Sequence, residues 1–146
     1  MATAPHHQAA RAGLRVLEDG GNAIEAMVAA AAAIAVAYPH MNGLGGDNFW
    51  LDVPGEDPSG IDACGAAAAQ AEIDFCRDQG FETIPTRGPL AALTVAGAVS
   101  GWEQALSLSA RLGGRLPLTR LMEDAISLAR DGVPVTDTLH NNTAAK

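Results

Sequence analysis

The chain has 146 residues, 48% of them apolar but only 4% aromatic, and a net charge of −8 from 17 acidic and 9 basic side chains. That length suits one domain. The acidic balance speaks against nucleic acid and against anionic membrane surfaces, where clustered basic groups supply the affinity.

The first stretch, "HHQAARAGLRVLEDGGNA", predicts a helix and its stop. Ala9, Ala12, Leu14, Val16 and Leu17 give a partial helical apolar face. Pro5 suits the first turn, and Gly20-Gly21 supplies the stop. Asn22 then caps a second helix, "AIEAMVAAAAAIAVAY", with Glu25 placed to answer it three residues on. Apart from Glu25 this helix is apolar on every side, the pattern of a helix buried all round. Such a helix needs more protein around it than 146 residues comfortably provide. That points to a fragment, or to an obligate partner chain. The apolar run from Ala26 to Tyr38 is short of the ~20 residues that span a bilayer, and Pro39 ends it.

After a glycine-rich loop, "NFWLDV" predicts a strand, Pro54 to Gly60 a turn, and "IDACG" a returning strand that completes a hairpin. One short helix is expected around Ile73 to Arg77 in an otherwise irregular stretch. A short strand over Ala91 to Val95 passes through Gly97 into a helix that stops at Gly113-Gly114. Pro117 opens a clean amphipathic helix with Leu118, Leu121, Met122, Ala125, Ile126, Leu128 and Ala129 on its apolar face, and Gly132 closes it. Thr136 or Asp137 caps a last helix that runs to Lys146. The chain stops in a segment that still reads as structured, a second sign of truncation. Its opening, "MATAPHHQAARAG", lacks the apolar core of a secretory signal. The default reading is therefore a soluble cytoplasmic protein, or a periplasmic one if a leader has been removed.

The loop "GLGGDN" is not a dinucleotide fingerprint. It follows a helix and precedes a strand, whereas a phosphate cradle needs strand, loop, then helix N-terminus. The expectation is a tight turn with positive φ values and no room for a Cβ. No histidine sits in a metal-ligand pair. His6 and His7 are expected exposed at a helix start, and His40 bonded to backbone beside the glycine loop. Ser100 reads as a capping hydroxyl. Cys64 and Cys76 match neither a metal pattern nor a disulfide framework and read as two reduced thiols. Cys64, on the second strand of the hairpin, has no identifiable basic partner. No Ser/His/Asp or Cys/His set assembles. The residues alone give an acidic, alanine-rich α/β chain with no complete catalytic constellation and no call for a metal.

Two long stretches, in order and correctly spaced, carry a resemblance. "GLRVLEDGGNAIEAMVAAAAAIAVAYPHMNGLGGDNFWL" resembles the N-terminal signature of the gamma-glutamyltransferase family, G-(x)-I-L-(x)-x-G-G-N-A-(V/I)-D-A-A-V-A, a proline, then G-(I/L)-G-G-G-x-F. "LTVAGAVSGWEQALSLSARLGGRLPLTRLMEDAISLARDGVPVT" resembles the family's next block, V-P-G-x-V-x-G-(W/F), a helix, x-G-x-L-P, then P-A-I-x-L-A-x-x-G-(F/Y)-x-V. The resemblance covers about Gln8 to Val135. It implies an α/β (α+β) fold: part of an αββα N-terminal-nucleophile hydrolase sandwich, with alanine-rich helices packed on a central sheet. Residues 1–146 would be one domain portion, the N-terminal segment of a large subunit. In that family a precursor cuts itself in two. The new N-terminal threonine of the small subunit is the nucleophile and its own amine the base. A γ-glutamyl or related acyl amide is the donor, as in glutathione metabolism, with water or an amino acid as acceptor and no cofactor. The nucleophile would lie beyond Lys146, since none of Thr3, Thr83, Thr86, Thr94, Thr119, Thr136, Thr138 and Thr143 matches its motif. The implied partners are the small-molecule amide and the rest of the precursor, with oligomerisation left open.

One departure bears on the substrate. The family follows its second strand with D-x-R-E-x-A-P, whose arginine clamps the α-carboxylate of the γ-glutamyl group. In "IDACGAAAA" Asp62 fits the aspartate, Cys64 falls on the arginine and Gly65 on the glutamate. Ala96 also stands where a proline is usual. Loss of such a partner costs ~2–5 kcal/mol of binding, so the resemblance implies a divergent member acting on another amide or acyl donor. The alternative reading is a non-catalytic α/β module that binds a partner chain through its apolar helix. The continuation of the chain separates the two.

Overall fold

The structure, a computed structural model, describes residues 1–52, 58–91 and 94–145. Its elements are α1 (His7–Glu18), α2 (Ala23–Ala37), β1 (Asn48–Asp52), β2 (Ser59–Ala63), α3 (Ile73–Asp78), a 3-10 turn (Pro89–Ala91), α4 (Ala98–Arg111), α5 (Leu118–Asp131) and α6 (Asp137–Ala144). They group into two compact units, Met1–Leu44 with Trp102–Lys146, and Gly45–Gly101. Among the described residues no helix is long and apolar enough to cross a membrane.

The first unit is built around α2, which packs against α1 and α5. Its N-terminus is a complete capping box. Asn22 Oδ1 accepts from the Glu25 N–H at 3.0 Å, and Glu25 Oε2 accepts from the Asn22 N–H at 2.7 Å. Ala26, Ala29, Ala30, Ala32, Ala33 and Ala37 are buried along the helix. Burial is wide but not complete: Met27 is exposed, and Ala31, Ile34 and Ala35 on the same side are only partly covered.

The buried face of α1 is Ala9, Ala12, Gly13 and Val16, a regular i, i+3, i+4, i+7 stripe. It corrects the expected face at one position, because Leu14 points out to solvent and Gly13 points in. A Cβ on Gly13 would lie 3.0 Å from the Ala26 carbonyl oxygen and 3.1 Å from the Ala2 Cβ. The chain is packed so closely there that an alanine would need its neighbours to give by a few tenths of an ångström. Pro5 precedes the helix instead of joining its first turn, because His6 is the N-cap.

On α5 the fully buried stripe is narrower than the apolar pattern, comprising Leu121 and Ala125. Leu118 and Ile126 are exposed, while Met122 and Leu128 are partly covered. Gly132 ends the helix at φ 87°, the left-handed region. Thr136 caps α6 by accepting from the Leu139 N–H at 3.2 Å.

The second unit holds an antiparallel hairpin whose register pairs Asn48 with Ala63, Trp50 with Ile61 and Asp52 with Ser59. β2 is displaced from the expected "IDACG": it begins at Ser59 and ends at Ala63, so Cys64 lies just past the strand. Val53 and most of the expected turn fall on residues 53–57, outside the described residues. Of the strand expected over Ala91 to Val95, Ala91 closes the 3-10 turn and Thr94 makes an isolated antiparallel bridge to Ala67. Residues 92 and 93 lie outside the described residues. The short α3 forms where it was expected.

Candidate functional site

The stretch after β2 is pinned by backbone contacts. Asp62, paired with Phe49 across the hairpin, turns its Oδ1 to accept the Cys64 N–H at 2.9 Å. The chain then runs beside residues 94–97, with the Val95 N–H donating to the Ala66 carbonyl at 3.0 Å. Gly65 has no room for a side chain, since its Cβ would meet the Val95 carbonyl oxygen at 1.6 Å. From the facing strand of chain, a Cβ on Gly97 would meet the Ala63 carbonyl oxygen at 1.9 Å. The two segments touch backbone to backbone. A glutamate at position 65, as in the family pattern, would require a different local path.

This packing gathers four polar side chains: Asp47, Asp62, Cys64 and Thr94. Thr94 Oγ1 donates to Asp47 Oδ1 at 3.1 Å. Cys64 Sγ donates to the Gly65 carbonyl oxygen at 3.9 Å, and the Asp47 and Asp62 carboxylates are close enough to act on the thiol. Cys64 is exposed overall. Local desolvation nonetheless pushes its thiol pKa up, and the nearby Asp47 and Asp62 carboxylates act in the same direction. A thiol held this way stays protonated at neutral pH and acts as a weak donor, because a nucleophilic thiolate needs positive surroundings. Among the ion pairs of the described residues, none brings an arginine to Asp47 or Asp62.

Asp62, Cys64 and Gly65 are thus neighbours in one tight segment, and Asp47 and Thr94 join them from elsewhere in the chain. Sequence reasoning missed both additions. Asp47 carried a signal, because it stands at the third consecutive glycine of the pattern G-(I/L)-G-G-G-x-F. Thr94 carried none, being brought in only by the pairing of Ala67 with Thr94.

The glycine loop corrects its expectation. Neither Gly43 nor Gly45 adopts a positive φ, and a Cβ at either would meet nothing within 4 Å. What the loop supplies is a carbonyl. Gly46 O accepts from the N–H groups of Gly97 and Ala98 at 3.0 and 2.9 Å, satisfying amides at the start of α4. Ser100 does not cap by accepting an amide. Its hydroxyl donates to the Gly97 carbonyl at 2.8 Å.

The histidines differ from expectation at two positions. His6 is buried, not exposed. His40 stacks edge-on against Tyr38 with ring centroids 4.1 Å apart, and neither of its nitrogens has a hydrogen-bond partner among the described residues. Among those residues no group of three histidine, cysteine or acidic side chains is placed to hold a metal.

Comparison with known proteins gives a consistent picture. Residues 9–146 match the gamma-glutamyltranspeptidase family. The chain is 60% identical over its whole length to the oxamate amidohydrolase proenzyme of Klebsiella pneumoniae, of which it covers 28%. It is 40% identical over 93% of its length to the glutathione hydrolase-like YwrD proenzyme of Bacillus subtilis, covering 25% of that protein. Among solved structures, gamma-glutamyltranspeptidase of Helicobacter pylori superimposes with a TM-score of 0.85 at 30% identity, over 99% of this chain and 41% of that one. The chain therefore spans about a quarter of the length of the curated relatives it matches.

Proposed function

Since the chain belongs to the gamma-glutamyltranspeptidase family, we propose that it forms the first part of the large subunit of a self-cleaving amide hydrolase whose acyl donor is not a γ-glutamyl group. The reaction is acyl transfer from an amide. A threonine freed at the start of the small subunit attacks the amide carbonyl, and its own α-amine takes the hydroxyl proton and delivers it to the departing amine. Water then cleaves the resulting ester, releasing the acid and restoring the threonine. The nucleophile comes from beyond Lys146, and residues 47–97 contribute to acyl-group recognition.

The observation that carries the reading is Cys64, whose N–H is held by Asp62 at 2.9 Å and whose thiol feels the Asp47 and Asp62 carboxylates, at the place where the family pattern has its clamping arginine. A γ-glutamyl donor would bring its α-carboxylate there and meet two carboxylates and a neutral thiol, with no arginine paired to either carboxylate among the described residues. A short acyl group with no charge at that distance from the amide meets no such repulsion. The 60% identity to an oxamate amidohydrolase against 40% to a glutathione hydrolase-like protein supports the same direction. Oxamate, the amide of oxalic acid, is accordingly the first donor to test, with ammonia and oxalate as products. The α2 surface that suggested a partner-binding module is largely covered by α1 and α5.

The test is expression of the full-length gene. Two bands are expected, the smaller beginning with threonine, and the processed enzyme should release ammonia from oxamate much faster than it cleaves a γ-glutamyl anilide. An unprocessed product would remove the enzymatic reading. Processed enzyme with ordinary affinity for the anilide would remove the donor assignment alone.

A further inference from the structure

The amino end of α1 carries an unusual cap. His6 is only 3% exposed, and its Nδ1 accepts the Gln8 N–H at 3.2 Å. That bond fixes the tautomer, with the lone pair on Nδ1 and the proton on Nε2. The ring stacks on His7 at 4.6 Å and lies 6.3 Å from Tyr38, the C-cap of α2. Tyr38 in turn packs against His40 at 4.1 Å. Four rings thus join the start of α1 to the end of α2 and the turn that follows it.

We propose that His6 is an acid-released latch: neutral, it caps α1 and closes this ring cluster, and on protonation it lets go of both. Three effects act together. A proton on Nδ1 replaces the acceptor that the Gln8 amide needs. The charge would sit at the positive end of the helix dipole. It would also be buried without a counter-ion.

The surrounding groups offer no relief. On its own helix, His7 adds like charge on acidification and Arg11 lies one turn on. The last turn of α2 carries neither acid nor base, and beyond it Tyr38 and His40 supply only rings. From α5, whose Leu128 reaches Ala9 and Ala12, Asp124 is engaged by Arg15 and Arg120, Asp131 holds the Ser127 hydroxyl, and Arg130 is a further cation. Among the described residues none makes an ion pair with His6.

The direction of the linkage follows. Burial first, then the charge of His7, lowers the His6 pKa below the ordinary ~6.5. A histidine with a depressed folded-state pKa binds fewer protons when closed. Its stabilisation is complete above ~6.5 and is lost as pH falls through the folded-state value.

The test uses the full-length protein between pH 8 and pH 5. Histidine C2-hydrogen exchange read by mass spectrometry gives the His6 midpoint. The midpoint is expected below the ordinary ~6.5. Amide exchange in the first turn of α1 and at Tyr38–Met41, corrected for intrinsic rates, is expected to rise on acidification by up to about tenfold per pH unit, the limit for one linked proton. A His6 midpoint at or above the ordinary ~6.5, or amide protection unchanged by pH, overturns the proposal. In His6→Asn, which caps without titrating, the pH dependence should vanish. A wild-type slope in that variant would also overturn it. The wild-type readings decide the matter even where the variant fails to fold.

Discussion

At Gly65 a Cβ atom would sit 1.6 Å from the Val95 carbonyl oxygen. Backbone cannot yield to that as a flexible side-chain tip can, so Gly65→Ala must part the two segments. The expected cost is ~1–3 kcal/mol, seen as a lower denaturant midpoint of the full-length protein. An unchanged midpoint would mean that residues 63–67 are not held against 94–97. Cys64 poses a different question. Restoring the family's arginine by Cys64→Arg alone places a cation beside Asp47, which would pair with it and compete for the substrate carboxylate. Asp62 is part of the family pattern, and Asp47 is not. The double variant Cys64→Arg/Asp47→Gly should therefore gain more on a γ-glutamyl anilide than Cys64→Arg alone. An increase in kcat/KM of about tenfold or more over wild type, ~1.4 kcal/mol, is expected. Equal gains from the single and double variants would show that Asp47 has no part in donor choice.

At the scale of elements, Glu25 shows how one side chain can join segments far apart in the chain. Its carboxylate is 2% exposed and accepts two N–H groups, that of Asn22 at 2.7 Å and that of Leu116, 91 residues away, also at 2.7 Å. Asn22 extends the network, taking the Ser109 hydroxyl at 3.1 Å while its amide reaches the Ser109 carbonyl at 3.3 Å. Glu25→Gln keeps the shape but replaces one acceptor oxygen by a donor, leaving one buried N–H unsatisfied. A loss of ~1–3 kcal/mol is expected in thermal or denaturant unfolding. A neutral result would mean that water reaches the Leu116 amide. The half of this network within α2 was legible, because Asn22 and Glu25 have capping-box spacing. The half reaching residues 109 and 116 was not, because nothing in a local pattern encodes a contact across 91 positions. Gly13 illustrates a related blind spot. Periodicity scores glycine as a helix breaker, so the apolar face of α1 was read through Leu14. A helix meeting another at contact distance needs its smallest residue inside.

For the whole molecule, the candidate site and the hairpin that carries it raise the same issue. Asp47, Asp62 to Gly65 and Thr94 to Gly97 come from three separated stretches, so their juxtaposition follows from tertiary pairing and could not be read along the chain. Only single departures, at Asp47, Cys64, Gly65 and Ala96, were visible, and only against a family pattern. The hairpin itself has two strands, a number that is marginal alone in water. Phe49 and Leu51, on one face of it, are 67% and 77% exposed, beside their partners Asp62 and Gly60. Large apolar side chains on an open sheet face give little stabilisation until something covers them. In the 146-residue chain expressed by itself, amides of residues 48–52 and 59–63 are therefore expected to exchange fast, while those of α2 in the first unit stay protected. In the full-length protein the same hairpin amides should slow by orders of magnitude, as its exposed face and free edges gain cover. Hydrogen exchange on both proteins reads the difference directly. Equal protection of the hairpin in the two would mean that β1 and β2 stand on their own contacts. The geometry around Cys64 would then be complete without the rest of the polypeptide.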